Sequence, residues 1–325
     1  MILSAPFTQQ AFGAIDQRWP AYSETIVVGA TVVPAGLALL IALWRIRENR
    51  WRRYLLLALG LGGGVAFIRM TQPIFTETFH FIEYGVLVAL FYRAWLPLAD
   101  RSTLVLPLLA CAIVGSMDEW FQWFIPIRAG DARDVGINVI AAVCGLLFAV
   151  GFHPPGRAGA GLQPGARTRI VKWAAAAILA FALFFQTIHV GHDVGDPDIG
   201  SFRSRYTGAE LAALARDRAE RWRTRPPLAQ RRLSREDQYL TEGLWHVQRR
   251  NEVWSAGDVA MAWRENRILE TFYAPILDTP TYAEPSRQRW SAEQRADAAE
   301  RPDVDRAPFV SDAYPYPLYV WPGVF

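Results

Sequence analysis

Between residues 25 and 190 the chain carries six apolar runs, at 25–44, 54–68, 79–95, 104–124, 135–152 and 170–190. A helix crossing a bilayer needs roughly 20 mainly apolar residues, with about 17 to 25 tolerated. In hydrocarbon every backbone N–H and C=O must be paired within the segment, so each run is expected to be a helix. The second run is short by this measure and is expected to extend through Met70 toward Pro73. Its Gly60, Gly62, Gly63 and Gly64 would weaken a soluble helix, but in a bilayer small residues let helices approach closely. Pro34 in the first run predicts a kink. Hydrophobic residues make up 52% of the chain, bunched into these runs, and this texture stops near His192. Beyond it the sequence is polar and rich in both charge signs.

The expected fold class is therefore an all-α, polytopic helical membrane bundle of about six transmembrane helices, followed by a mainly helical extracytoplasmic domain. Its expected divisions are an N-terminal segment at 1–24, a transmembrane core at 25–152, a Gly/Pro-rich linker at 153–169, a sixth transmembrane helix at 170–190 and an outer domain at 191–325.

Basic loops stay on the cytoplasmic side, so orientation follows from the flanking arginines and lysines. Arg45, Arg47, Arg50, Arg52 and Arg53 follow the first run, Arg93 and Arg101 the third, and Arg157, Arg167, Arg169 and Lys172 lie between the fifth and sixth. These connections are expected inside, which puts both termini outside a bacterial cytoplasmic membrane. The first twenty residues lack a basic start and apolar core, so the first helix is expected to serve as an uncleaved signal.

With that orientation the ionisable residues of the runs collect at one membrane face. Glu77, His80 and Glu83 open the third helix, Asp118 and Glu119 close the fourth, and Asp131, Asp134 and Asn138 open the fifth. Residues three or four apart share a helix face, so Glu77, His80, Glu83 and Tyr84 form one stripe, Asp118 and Gln122 with Glu119 at its margin a second, and Asp131, Asp134 and Asn138 a third. Ionisable groups are expensive to hold in a membrane, which makes them functional-site candidates. Three stripes at one depth predict a single outward-opening pocket.

The segment from Glu77 through His80, Glu83 and Tyr84, followed by Asp118, Glu119, Gln122, Arg128, Asp131, Asp134 and Asn138, resembles the VanZ-like family, named for a protein associated with teicoplanin resistance. The resemblance spans residues 54–152 and leaves the sixth helix and the outer domain uncovered. Many members carry an Asp-Lys pair shortly before the histidine, where this chain has Thr76 and Glu77. The resemblance implies a membrane protein that lowers susceptibility to lipophilic glycopeptides.

The chemistry of the cluster stays open at this level. A neutral imidazole beside carboxylates can act as a base or a metal ligand, which makes His80, Glu83, Asp118 and Glu119 the catalytic candidates. No cofactor is expected; the alternative is a divalent metal held by Glu77, His80, Glu83 and Asp118, since Glu77 and His80 have the spacing of carboxylate-bridged metal sites in helical bundles. A third reading is a structural latch in which Arg128 pairs with Asp131 or Asp134 and His80 bonds an acid. Arg128 can also present its planar fork to a phosphate or carboxylate, which fits an anionic envelope lipid or a peptidoglycan-related ligand. Membrane lipids are the expected surroundings. Cys111 and Cys144 fall inside helices, where thiols pack as small apolar groups.

In the outer region Thr207 and Glu210 have capping-box spacing and open an amphipathic run with Leu211, Leu214, Ala215 and Trp222, ending at Arg225-Pro226-Pro227. Further helices are expected at 234–253, 255–272 and 286–300. Trp245, Trp254, Trp263 and Trp290 are candidates for its core, or for an aromatic surface that binds glycan. The spaced prolines after Tyr314 favour an extended tail that docks back. An assembly or anchoring protein whose outer domain recruits a partner is a further reading. The net charge is +3, its excess sits in the loops that topology already explains, and no Gly-rich phosphate loop is present, so nucleic acid is not an expected partner.

Overall fold

The computed structural model describes residues 14–15, 17–71, 79–123, 130–155, 161–226, 238–279, 288–300 and 309–320. The chain divides into two compact units, one of residues 1–122 with 129–185, the other of 123–128 with 186–325. Six long helices come first: α1 (Ser23–Arg45), α2 (Arg50–Thr71), α3 (Phe79–Trp95), α4 (Ser102–Trp123), α5 (Ala132–Phe152) and α6 (Ala166–His189). Five stretches within them, from α2 onward, are long and apolar enough to cross a membrane; α1 has a shorter apolar stretch at Val32–Arg45. Leu37, Leu40, Val65, Leu90, Ile178 and Leu179 point outward and are exposed, which suits helices surrounded by lipid. Trp19 and Tyr22 lie exposed at one end of α1 and Trp44 and Trp51 near the other, the placement of interfacial aromatics.

The bundle is packed on α5. Its core holds Tyr84, Val88 and Tyr92 of α3, Cys111 of α4, and Ala141, Ala142 and Leu146 of α5. Glycines set the closest approaches. A β-carbon on Gly60 would lie 2.6 Å from the Cys144 carbonyl oxygen, and one on Gly145 would lie 2.5 Å from the Gly85 Cα. The expectation that the α2 glycines permit close contact therefore holds at Gly60, whereas Gly62 faces open space. Gly145→Ala is expected to force α3 and α5 apart at a cost of about 1–3 kcal/mol. Thermal unfolding in detergent reads this as a lowered midpoint, with Gly62→Ala near wild type.

The bundle end opposite the start of α3 is fastened by side chains. Arg53 donates from Nε to the Gly151 carbonyl at 2.8 Å and also bonds the Phe152 carbonyl, and Tyr92 Oη donates to the His153 carbonyl at 2.8 Å. Together they satisfy carbonyls left over where α5 ends. Asp100, in the turn before α4, accepts from the Ser102 hydroxyl and from its amide at 2.8 Å, accepts from the Gln163 amide at 3.3 Å, and pairs with Arg169 at 3.6 Å. The Ser102 hydroxyl, ahead of the amides and Arg169, holds its carboxyl below the ordinary range. Trp173 packs edge-on against Trp95, with ring centres 5.3 Å apart.

The second unit is helical, with a small sheet that the sequence reading missed. After α6 come β1 (Val190–Asp196), β2 (Gly200–Ser204), α7 (Gly208–Thr224), α8 (Gln238–Ser255), α9 (Val259–Phe272), α10 (Ala274–Asp278), α11 (Ala292–Ala299) and β3 (Tyr319–Val320). The strand order is β2-β1-β3, with β1 antiparallel to β2 and parallel to β3. Val190, expected to close the sixth helix, thus opens a strand instead. Thr207 and Glu210 form the expected capping box, and Leu211 and Trp222 are buried in the core with Phe202, Tyr239, Tyr273 and Ile276. Trp290 is buried with Trp254 and Trp263 packed around its cluster, and Trp245 meets Tyr314 and Tyr316 at 4.9 and 5.6 Å. The tryptophans accordingly pack within the unit. The tail is extended as expected and is pinned by Asp312, whose carboxylate accepts from Arg249 at 2.7 and 2.9 Å.

One face of α8 is charged yet buried. Glu242 accepts from Ser204 Oγ at 2.6 Å, from the Arg205 amide at 3.0 Å and from Tyr273 Oη at 3.0 Å. One turn on, His246 Nδ1 lies 2.7 Å from Glu265, which also accepts from Ser311 Oγ at 2.5 Å. A further turn along, Arg250 donates to Asn266 Oδ1 at 3.0 Å and to the Gln288 carbonyl at 2.8 Å; burial pulls its guanidinium down to about 10, still charged at neutral pH. The three residues tie α8 to neighbouring segments through buried hydrogen bonds, which favours one packing of the core.

Candidate functional site

The polar residues of α3, α4 and α5 meet inside the first unit. On α3, His80 is 9% exposed and Tyr84 fully buried, while Glu83 is half-buried with its carboxylate 3.8 Å from His80 Nδ1. On α4, Asp118, Glu119 and Gln122 are all buried; the Gln122 amide donates to Asp118 at 3.2 Å and to Glu119 at 3.0 Å. Helix α5 starts where expected: Asp131 is its N-cap and accepts from the Arg133 amide at 2.9 Å, and the Asp131 amide lies 3.4 Å from Glu119 Oε2. Asp134 sits half-buried in the first turn, where a negative charge complements the helix dipole. Asn138, one turn further, is fully buried.

Part of the cluster therefore builds the bundle. Asp131 caps α5, Asp134 suits its dipole, and Glu119 ties the cap to α4. Glu77 and Arg128 lie outside the described residues, as does the pairing of Arg128 expected in the latch reading.

The centre of the arrangement is a residue the sequence reading passed over. A β-carbon placed on Gly115 of α4 would lie 3.5 Å from both Tyr84 Oη and Asn138 Nδ2, so three helices present their groups to one spot. The Tyr84 hydroxyl also lies within electrostatic reach of Asp118, Glu119 and Glu83. The signal was available: Gly115, Asp118 and Gln122 recur at the spacing of a single helix face. Tyr84 Oη and both side-chain polar atoms of Asn138 are buried and have no hydrogen-bond partner among the described residues. Buried polar groups are nearly always paired, and each unpaired one costs about 1–3 kcal/mol, so the two groups at this spot are the candidates for binding a polar ligand.

A hydroxyl and a primary amide can together donate and accept hydrogen bonds toward a polar group in a low-dielectric surround. Among the described residues no group of three His, Cys, Asp or Glu side chains has metal-binding geometry, so the metal reading would depend on Glu77.

Fold and site together define a membrane protein: a helical bundle with buried polar groups gathered at one end. Residues 45–153, a third of the chain that takes in α2 through α5, match the VanZ/LLP1 family, and this stretch is a VanZ-like domain. The match takes in every described residue of the candidate site and ends before α6. No curated protein and no solved structure matches the chain.

Proposed function

We propose that the chain is a multi-pass protein of the bacterial cytoplasmic membrane whose polar end of α3, α4 and α5 faces outward and binds or acts on a cell-envelope component. Through that component it lowers susceptibility to teicoplanin-type glycopeptides. The orientation is supported by the arginines of the α1–α2, α3–α4 and α5–α6 connections, which fall at the opposite ends of these helices and would stay cytoplasmic. Both termini are then extracytoplasmic.

The observation that carries the reading is the pair of buried, unpartnered groups on Tyr84 and Asn138 beside Gly115. Three helices hold them in place, so a polar ligand group would bind without reordering the site. The carboxylates of Glu83 and Asp118 and the imidazole of His80 add charge and proton-exchange capacity around it.

The test is deletion of the gene followed by complementation with wild type, His80→Ala or Gly115→Val. Teicoplanin susceptibility and envelope lipid composition are expected to change on deletion and to be restored by wild type alone. Gly115→Val fills the spot between Tyr84 and Asn138 with the branched side chain that glycine leaves out. Unaltered susceptibility and lipid composition on deletion would overturn the proposal.

A further inference from the structure

Charge decides what the spot between Tyr84, Gly115 and Asn138 can hold. Residues 77–84 and 118–138, which supply the polar ends of α3, α4 and α5, contain six aspartates and glutamates against two arginines and one histidine. Three of these acids, Asp118, Glu119 and Glu83, lie within electrostatic reach of the Tyr84 hydroxyl. Asp118 and Glu119 are buried and share the Gln122 amide, a bond that brings no positive charge. An anion at this spot would meet like charge in a low-dielectric surround, where repulsion is stronger than in water, whereas a cation is attracted. The excess of carboxylate stands with Arg128 and Arg133 included in the count.

The unpaired atoms narrow the choice of cation. Both polar atoms of the Asn138 amide are buried without a partner among the described residues, so the amide offers an oxygen acceptor whichever way it is turned. The Tyr84 hydroxyl offers a second. Such acceptors call for N–H donors. A primary ammonium group carries three, and a trimethylammonium group carries none. Space is short as well: a β-carbon on Gly115 would lie 3.4 Å from Asn138 Cβ and 3.5 Å from Tyr84 Oη, which suits a compact ammonium better than a broad, planar guanidinium.

We infer that the site recognises the primary ammonium group of an envelope component, with Tyr84 Oη and Asn138 Oδ1 accepting N–H bonds from it and Asp118, Glu119 and Glu83 supplying the countercharge. A buried cation is tolerated where it is both hydrogen-bonded and faced by opposite charge. The inference rests on the proposed reading of this end of the bundle as a ligand site and adds the chemistry of what it takes.

The test compares phosphatidylethanolamine, phosphatidylcholine and phosphatidylglycerol with the same acyl chains, whose headgroups end in a primary ammonium, a trimethylammonium and a neutral glycerol. Each is titrated into the full chain in a non-ionic detergent and followed by thermal unfolding, since a ligand of the folded state raises the midpoint. Phosphatidylethanolamine is expected to reach its half-maximal shift at about a tenfold lower concentration than the other two, the worth of a charge-assisted hydrogen bond. Tyr84→Phe and Asn138→Leu should bring the three curves together, and Asp118→Asn should narrow the difference. Free ethanolamine and free choline locate the group: a preference for ethanolamine shows that the ammonium alone suffices, and a preference among the lipids only places it on a lipid, either of which supports the inference. Wild type that distinguishes neither phosphatidylethanolamine from the other lipids nor ethanolamine from choline would overturn it, even if the variants failed to fold. A preference that survives in both Tyr84→Phe and Asn138→Leu would place the ammonium elsewhere and overturn it too. The two proposals fail separately: gene deletion without effect on susceptibility would sink the proposed function and leave these curves standing, whereas coincident curves would sink the ammonium assignment and leave the deletion phenotype.

Discussion

Asn138→Leu is expected to abolish the effect on teicoplanin susceptibility proposed for the chain while leaving the purified protein at least as stable as wild type. The reasoning is one of unmade bonds. Asn138 is buried, and its amide atoms have no partner among the described residues, so an apolar side chain of similar size removes a burden and breaks no bond. The expected gain is about 1 kcal/mol or more, read from thermal unfolding in detergent. Tyr84→Phe should behave the same way, since it removes only an unpartnered hydroxyl beside Gly115. Stability gained together with activity lost identifies a group retained for binding. A large drop in stability for Asn138→Leu would instead make the amide a structural bond, and the site would lose its centre.

Glu242→Ala should have the opposite character, a large loss of stability in the second unit. The change strands Ser204 Oγ, Tyr273 Oη and the Arg205 amide, all of which donate to this carboxylate, and it opens a cavity beneath α8. With each stranded buried group costing about 1–3 kcal/mol, a loss of about 3 kcal/mol or more is expected, a large share of the roughly 5–15 kcal/mol that holds a typical domain together. Hydrogen exchange of α8 and α9 in the full chain measures it.

Glu242 also fixes the sign of a pH effect. Burial, opposed by the bonds from Ser204, Arg205 and Tyr273, raises its carboxyl above the ordinary value of 4.5. The folded state then favours the protonated form more than the unfolded state does, so stability is greatest below 4.5 and falls as pH rises through the raised value. Protection of α8 should decline across that window in wild type and stay level in Glu242→Gln.

Much of the bundle could be read from the chain because the membrane enforces it. The apolar runs at 79–95, 104–124 and 135–152 correspond to α3, α4 and α5 with ends shifted by three residues or fewer. The start of α5 was legible because Asp131 has the chemistry of an N-cap. Likewise Thr207 and Glu210 announced α7. The sheet was not legible: β3 is two residues long and joins β1 across more than a hundred positions of sequence, a pairing with no local signature.

At the site, periodicity picked out the faces of α3 and α4 but could not separate structural acids from the rest. Asp131 and Glu119 turn out to fasten the start of α5, a division that depends on where backbone amides point. Gly115 escaped notice because what matters there is the side chain it lacks. The buried stripe of Glu242, His246 and Arg250 reads in sequence like a solvated helix face, since partners such as Ser204, Glu265 and Ser311 come from distant segments.

The most direct measurement is a high-resolution structure of the full chain purified with its native lipids. Non-protein density within hydrogen-bonding distance of both Tyr84 Oη and the Asn138 amide, beside Gly115, is the predicted result. A structure in which those two side chains bond to each other or to other protein groups, with no ligand between them, would contradict the account.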